Sequence, residues 1–271
     1  MTLYVVPTPI GNLEDITLRA LRVLREADTV ACEDTRRTGQ LLKHYEIEAK
    51  LLAYHDHNEA RLAPELAERA KSEAIALVSD AGMPLVSDPG YTLVTACIES
   101  GAKVEVLPGA SALTTALAAS GLPTGTVTFV GFPPRKGRER TELLTKIAAE
   151  QATFVLYESP KRLAKTLSEL PEGSPVAVCR ELTKLHEEVF RGTASEAAVH
   201  FSGDVKGEVV IVVRGGSSVR AATLDEALTL AMTCIEAGDG KSRAAARAAK
   251  ETGFRKQEIY DRLVLPDADQ G

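Results

Sequence analysis

Over the first 121 residues, short runs of β-branched and apolar residues alternate with stretches whose apolar residues recur at helical spacing. No other feature of the sequence limits the possible folds as much. Leu3–Val6, Thr29–Cys32, Ala74–Val78 and Lys103–Leu107 read as strands. Thr17–Arg25, Thr35–His44, Asn58–Ala70, Tyr91–Glu99 and Ser111–Ser120 read as helices. Strands joined through crossover helices predict a mainly parallel sheet covered by helices, an α/β architecture. Thr17, Asp34 and Asn58 precede three of the helices, where a side-chain oxygen can accept from free first-turn amides.

Gly121-Leu-Pro-Thr-Gly125 interrupts this pattern. Beyond it, Val127–Phe132, Thr153–Tyr157, Val176–Arg180, Glu188–Gly192 and Glu208–Arg214 read as strands. They outnumber the helical pieces Glu139–Glu150, Lys161–Leu170 and a short segment near Ser195, which predicts a mixed sheet. Gly215-Gly-Ser-Ser218 reads as a second linker, followed by helical Leu224–Ala237, Ser242–Thr252 and Lys256–Leu263. The expected division is therefore 1–121, an α/β unit with binding loops; 122–218, a second α/β unit closing a cleft; and 219–271, a small helical segment.

Net charge narrows the function classes. Thirty-eight acidic residues against 32 basic ones give −6, which argues against a protein devoted to non-specific nucleic-acid binding. Cys32, Cys97, Cys179 and Cys234 are widely spaced without a CxxC pair, so neither a disulfide framework nor a zinc site is expected. His55-Asp-His57 lacks a completed ligand set, and no metal is expected there. The opening MTLYVVPTPIG lacks a basic leader, and no apolar run approaches the roughly 20 residues needed to span a bilayer. A soluble, cytoplasmic protein without a membrane partner is expected.

Three loops follow predicted parallel strands, the usual ligand crevice of an open α/β sheet. Pro7-Thr-Pro-Ile-Gly-Asn-Leu-Glu-Asp15 carries neither GxGxxG nor a GxxxxGK[ST] phosphate loop. Ser79-Asp-Ala-Gly-Met-Pro-Leu-Val-Ser-Asp-Pro-Gly90 packs two Ser-Asp pairs, two glycines and two prolines into twelve residues. Such a loop lets a ligand approach the backbone closely and offers acceptors to amino or hydroxyl groups. Pro108-Gly-Ala-Ser-Ala112 leads into a helix whose free amides can receive a carboxylate. Polar strand ends at Tyr157-Glu-Ser-Pro-Lys-Arg162 and Arg180-Glu-Leu-Thr-Lys-Leu-His-Glu-Glu188 suggest a cleft between the two halves.

Seven collinear segments, VVPTPIGNLEDIT, CEDTRRTGQLL, SDAGMPLVSDPG, PGASALTTALAASGL, FVGFPPRKG, YESPKR and RELTKLHEE, carry a resemblance over nearly the whole chain. It resembles the ribosomal RNA small-subunit methyltransferase I family of the tetrapyrrole-methylase superfamily. The resemblance implies two α/β domains, a homodimer, S-adenosylmethionine in the interdomain cleft, and 2′-O-methylation of a cytidine ribose in small-subunit (16S) ribosomal RNA. It implies donor contacts from Asp80, Ala81, Gly82, Pro84, Ser111 and Ala112, with Tyr157 and Glu158 closing over them. Thr8, Pro9, Gly11 and Asn12 would face the acceptor. A tetrapyrrole-type small-molecule methyltransferase is the alternative, although the first loop lacks the GxGxGD common among those enzymes.

A ribose hydroxyl attacks better when a base or nearby cation favours its alkoxide. Glu33, Asp34, Arg36 and His55 are the catalytic candidates from the first half, with Glu158 and Lys161 opposite. Arg135 and Lys136, with Lys161 and Arg162, offer cations to the acceptor. Arg243, Arg247 and Lys250 recur at helical spacing and would meet RNA phosphates.

Overall fold

The computed structural model describes residues 1–216, 224–252 and 254–264. Two five-stranded sheets form the body. The first contains β1 (Thr2–Val5), β2 (Thr29–Cys32), β3 (Leu51–Ala53), β4 (Ala74–Val78) and β5 (Lys103–Val106), in the order β3-β2-β4-β1-β5. Every pairing in it is parallel, as the alternating pattern predicts. Its helices are α1 (Leu18–Glu26), α2 (Thr35–His44), α3 (Glu59–Arg69) and α4 (Tyr91–Ser100). Ile75 and Leu77 face one apolar layer with Leu66 and Leu93, while Ala76 and Val78 face the other with Val23 and Leu24. The two-residue alternation of a strand divides the sheet between these layers.

The sequence reading places no strand at β3. Three residues between Lys50 and Tyr54 are too few to display an alternation, and pairing with β2 supplies what local pattern does not. Thr17 and Asp34 cap α1 and α2 through bonds of 3.0 and 2.8 Å from Ala20 and Arg36 amides. Asn58 behaves differently: its side chain bonds the His55 amide and the Ala53 carbonyl, and makes no cap bond to α3.

The second sheet runs β6-β7-β10-β8-β9, from β6 (Val127–Gly131), β7 (Thr153–Glu158), β8 (Pro175–Arg180), β9 (Glu188–Thr193) and β10 (Val209–Arg214). Only β6 and β7 pair in parallel; the other three pairings are antiparallel. One face packs on α6 (Arg138–Ala149), α7 (Pro160–Glu169) and α8 (Ala194–His200) through Phe154, Leu156, Val178 and Ile211. The other face is covered by α5 (Ala112–Ser120), whose Ala116 packs with Val155, Ala177 and Val212. Leu113 and Leu117 of α5 are half-buried in the same cluster, while Thr114 and Ala118 are exposed. The helix follows the first sheet in sequence but buries itself against the second.

Helices α9 (Leu224–Glu236), α10 (Lys241–Thr252) and α11 (Lys256–Val264) share an apolar cluster of Ala227, Ala231, Ala244, Ala245, Ala248 and Ile259. The linker residues Ser217 and Ser218 lie outside the described residues. All four cysteines are free and buried. Among the described residues no helix is long and apolar enough to cross a membrane, and no group of three metal-ligating side chains occurs.

Candidate functional site

Strand order brings the three loops together. β1 lies between β4 and β5, so the loops after these strands leave the same sheet edge side by side. Thr8 and Gly82 then exchange backbone hydrogen bonds of 2.9 and 3.0 Å, and the Thr8 hydroxyl donates to the Ser79 carbonyl at 3.1 Å. Gly82 has φ +83°, a conformation that a residue with a Cβ adopts only with strain. Leu85 and Ser87 also have positive φ, 71° and 65°, although neither is glycine. Backbone strain gathered in one loop points to a function that requires the shape.

This loop forms part of a cavity of about 410 Å³ between the two sheets. Asp80, Ala81, Ser111 and Ala112 line it from the first half, and Tyr157 and Glu158 from the second. Gly82 and Pro84 do not line it; Gly82 instead fixes the crossing of the two loops. A second cavity, about 360 Å³, is lined by Thr8, Pro9 and Gly11 of the first loop together with Arg37 and Lys184. Asn12 lies beside it, capping a short turn and donating its backbone N–H to the Thr183 hydroxyl at 2.9 Å. Gly11 has no room for a side chain: a Cβ there would sit 2.7 Å from Thr183 Oγ1 and 2.9 Å from the Leu182 carbonyl.

Ile10, Arg37, Asp80, Ala81 and Glu208 line both cavities and so form their common wall. Arg37 pairs with Asp80 at 3.2 Å. On the opposite side Lys184 bonds Glu208 at 2.9 Å and Glu181 at 2.8 Å. The facing loop also holds non-glycine residues at positive φ, Glu181 at 51° and Thr183 at 66°.

Among the charged residues lining the first cavity, the carboxylates Glu33, Asp80, Asp88, Glu158 and Glu208 outnumber the cation Arg37. Burial pushes the Asp88 carboxyl up to about 6, with nearby Glu33, Asp80 and Asp56 adding to the rise and a Ser79 hydrogen bond opposing it. Glu33 is raised for the same reasons, burial first and then the charges of Asp80 and Asp56. Burial also raises the Tyr157 phenol, against a hydrogen bond from the Leu113 backbone that lowers it. That contact joins the second sheet to the first turn of α5, where the Ser111 side chain makes no cap bond.

Other predicted residues are engaged elsewhere. Asp34 and Arg36 reach neither cavity: Asp34 caps α2, and the two side chains pair at 2.8 Å on the surface. The Arg36 guanidinium holds the Asp34 carboxyl down near about 2. His55 also lines neither cavity; its Nδ1 is buried without a hydrogen-bond partner among the described residues. The Glu158 side chain, fully buried, accepts from Arg162 at 2.5 Å and from the Thr166 hydroxyl at 2.6 Å. Thr166 in turn accepts from buried Arg140 at 3.0 Å. Lys161, Arg135 and Lys136 are exposed and line neither cavity. Arg243 and Arg247 both pair with Asp239, at 3.4 and 2.8 Å, and Lys250 belongs to α10 with its side chain outside the described residues.

Sequence reasoning missed Arg37, Asp88, Lys184 and Glu208. Arg37 and Asp88 lie inside motifs already singled out, CEDTRRTGQLL and SDAGMPLVSDPG, so the signal was present without a means of choosing among neighbours. Lys184 and Glu208 are far from the first loop in sequence and meet its cavity only in the folded chain.

Residues 2–198 match the family described as Tetrapyrrole (Corrin/Porphyrin) Methylases. The chain belongs to this family. "Ribosomal RNA small subunit methyltransferase I" of Halalkalibacterium halodurans is 49% identical over 79% of this chain and 76% of its own length. The protein of the same name from Synechocystis sp. is 42% identical over 98% of this chain and 99% of its own. Within the family the chain groups with proteins of that name. Among solved structures, uroporphyrin-III-C-methyltransferase from Thermus thermophilus superimposes with a TM-score of 0.55 at 22% identity, covering 79% of this chain and 94% of that one. At that identity the likeness concerns the fold alone: two linked α/β units, the first with a parallel sheet and the second mixed.

Proposed function

We propose that this family member transfers a methyl group from S-adenosylmethionine to the 2′-hydroxyl of a cytidine ribose in small-subunit ribosomal RNA. The observation that carries the reading is the pair of cavities sharing one wall, an arrangement suited to a donor on one side and an acceptor on the other. Relatives named for ribosomal RNA methylation support the choice of acceptor.

The first cavity fits the donor. Its volume lies in the range of small-molecule sites, and its carboxylates suit a molecule that bears a sulfonium and an ammonium. When bound, the donor supplies an electrophilic methyl carbon whose C–S bond breaks as the new C–O bond forms, with the electron pair leaving on sulfur. Asp80, Ala81, Ser111, Ala112 and Tyr157 would hold it, while Gly82 and Pro84 shape the loop and Glu158 anchors the end of β7. Thr8, Pro9, Gly11 and Asn12 would orient the ribose in the second cavity. Alignment of this kind supplies much of the catalysis in a direct displacement. Arg37 at the shared wall and Lys184 in the second cavity would favour the alkoxide, and Asp80 or Glu208 at that wall, or Glu33 in the first cavity, would accept the proton.

The domain division at 121 and 218, a homodimer, and a cytoplasmic site of action where ribosomal subunits are found complete the reading. No metal enters it. The test is transfer of labelled methyl to unmethylated small subunits, free 16S RNA and precorrin-type acceptors. Label in subunit RNA should appear in an alkali-resistant dinucleotide, because a 2′-O-methyl ribose cannot cyclise onto its phosphate. Label on a base, or only on the small-molecule acceptor, would overturn the reading.

A further inference from the structure

The loop leaving β6 brings to the first cavity an aromatic ring to which the reading above gives no role. Phe132 is 59% exposed at the rim of the first cavity. Its backbone is fixed from three sides. The β6–β7 register shifts between Phe129 and Gly131, a bulge that redirects the strand end. Gly131 has φ +68° and lies against the Ser87 hydroxyl, which a Cβ would meet at 3.1 Å. The carbonyls of Pro133 and Pro134 accept from Arg162 and Arg140 at 3.3 and 2.9 Å, and Arg140 is itself buried and paired with Glu169. The ring meets Tyr157 nearly edge-on, at 5.7 Å between centroids and 67° between planes, and more than half of it stays open. Exposed Arg135 and Lys136 follow the two prolines.

We propose that Phe132 is a stacking platform for an unpaired nucleobase of the RNA acceptor, with Arg135 and Lys136 meeting the adjoining phosphates. An aromatic surface beside cations is the chemistry by which proteins hold single-stranded RNA. The methyl donor also carries a purine, but it has no phosphate to occupy these cations, and the ring stands at the cavity's rim. The proposal rests on the RNA methyltransferase reading and names the contact that seats the acceptor.

The chain contains no tryptophan, so Phe132→Trp introduces a single selectively excitable indole. Adding single-stranded oligocytidylate to this variant should quench its emission, whereas adding S-adenosylhomocysteine should leave the oligonucleotide response in place. For unmethylated small subunits, Phe132→Ala should raise KM by about 5- to 150-fold, the range of one lost base stack and a larger loss than any in donor affinity. Phe132→Trp and Phe132→Tyr should restore KM. An unchanged KM in Phe132→Ala together with no quenching would overturn the platform, as would a loss confined to donor affinity. The quenching assay needs no turnover, so it judges the platform even if subunits prove not to be the acceptor.

Discussion

The carboxylate of Asp88 sets one effect of pH on this fold. Burial lifts it from the ordinary 3.8 to about 6, so the folded chain holds a proton that the unfolded chain releases at lower pH. Stability from this group is fully present below the ordinary value and is lost as pH rises through about 6. Each factor of ten in an acid constant corresponds to about 1.4 kcal/mol, so an ionised Asp88 weakens the fold at pH 8 by at most about 3 kcal/mol, and by less to the extent that solvent screens this half-buried group. Asp88→Asn keeps the shape and an acceptor for Ser79 while removing the charge. For a chain of this size that should raise the melting temperature at pH 8 by at most about 5 °C, with far less gain at pH 4. The assay is thermal unfolding of wild type and variant across pH 4 to 8. An equal gain at both extremes would refute the reasoning, because it would show that the charge is not what costs stability. The same carboxylate should favour a cationic donor, so wild-type affinity for S-adenosylmethionine should rise from pH 5 to pH 7.5. Calorimetry of Asp88→Asn should show weaker binding and a flatter pH dependence.

Thr166→Val removes the hydroxyl joining buried Arg140 to buried Glu158; urea unfolding should show a loss of about 1–3 kcal/mol, as expected when buried polar groups lose a partner. Gly82→Val should strain a backbone at φ +83° and press a Cβ onto Ile10, loosening the Thr8 bridge; donor titration should weaken and the melting temperature should fall with it. Gly11→Ala has no space against Thr183 and Leu182, so it should push the first loop off its partner and raise the acceptor KM more than the donor KM. Replacing Arg243, Arg247 and Lys250 with alanine should weaken subunit binding and flatten its salt dependence. Equal salt slopes would confine these residues to structure, a role already visible in the pairing of Arg243 and Arg247 with Asp239.

Much of the fold was legible because local pattern and tertiary structure agree. The runs at Thr29–Cys32 and Ala74–Val78 are short and apolar, α2 begins at its Asp34 cap, and the antiparallel half follows from strands outnumbering helices. The long Ser79–Gly90 loop was conspicuous for the same reason: glycines and prolines at that density serve a demanding backbone path, and the path bends through four positive-φ residues. Charge patterns were less informative. Asp34, Arg36 and Glu158 looked as reactive in sequence as Asp88 or Arg37, yet Asp34 and Arg36 pair away from both cavities and the Glu158 carboxylate is taken up by Arg162 and Thr166.

Sequence by itself thus determined every strand but β3, where the chain bends, and which loops carry unusual chemistry, since propensity, periodicity and glycine placement act over a few residues. Tertiary structure decided which of those residues meet. Gly11 beside Thr183, Arg37 on the wall that Glu208 shares, and α5 buried against the sheet that follows it are contacts between segments far apart in the chain. It also decided which charges became desolvated: the neighbouring Arg36 and the helix start hold Asp34 down to about 2 locally, whereas only the assembled cavity buries Asp88 and lifts it to about 6.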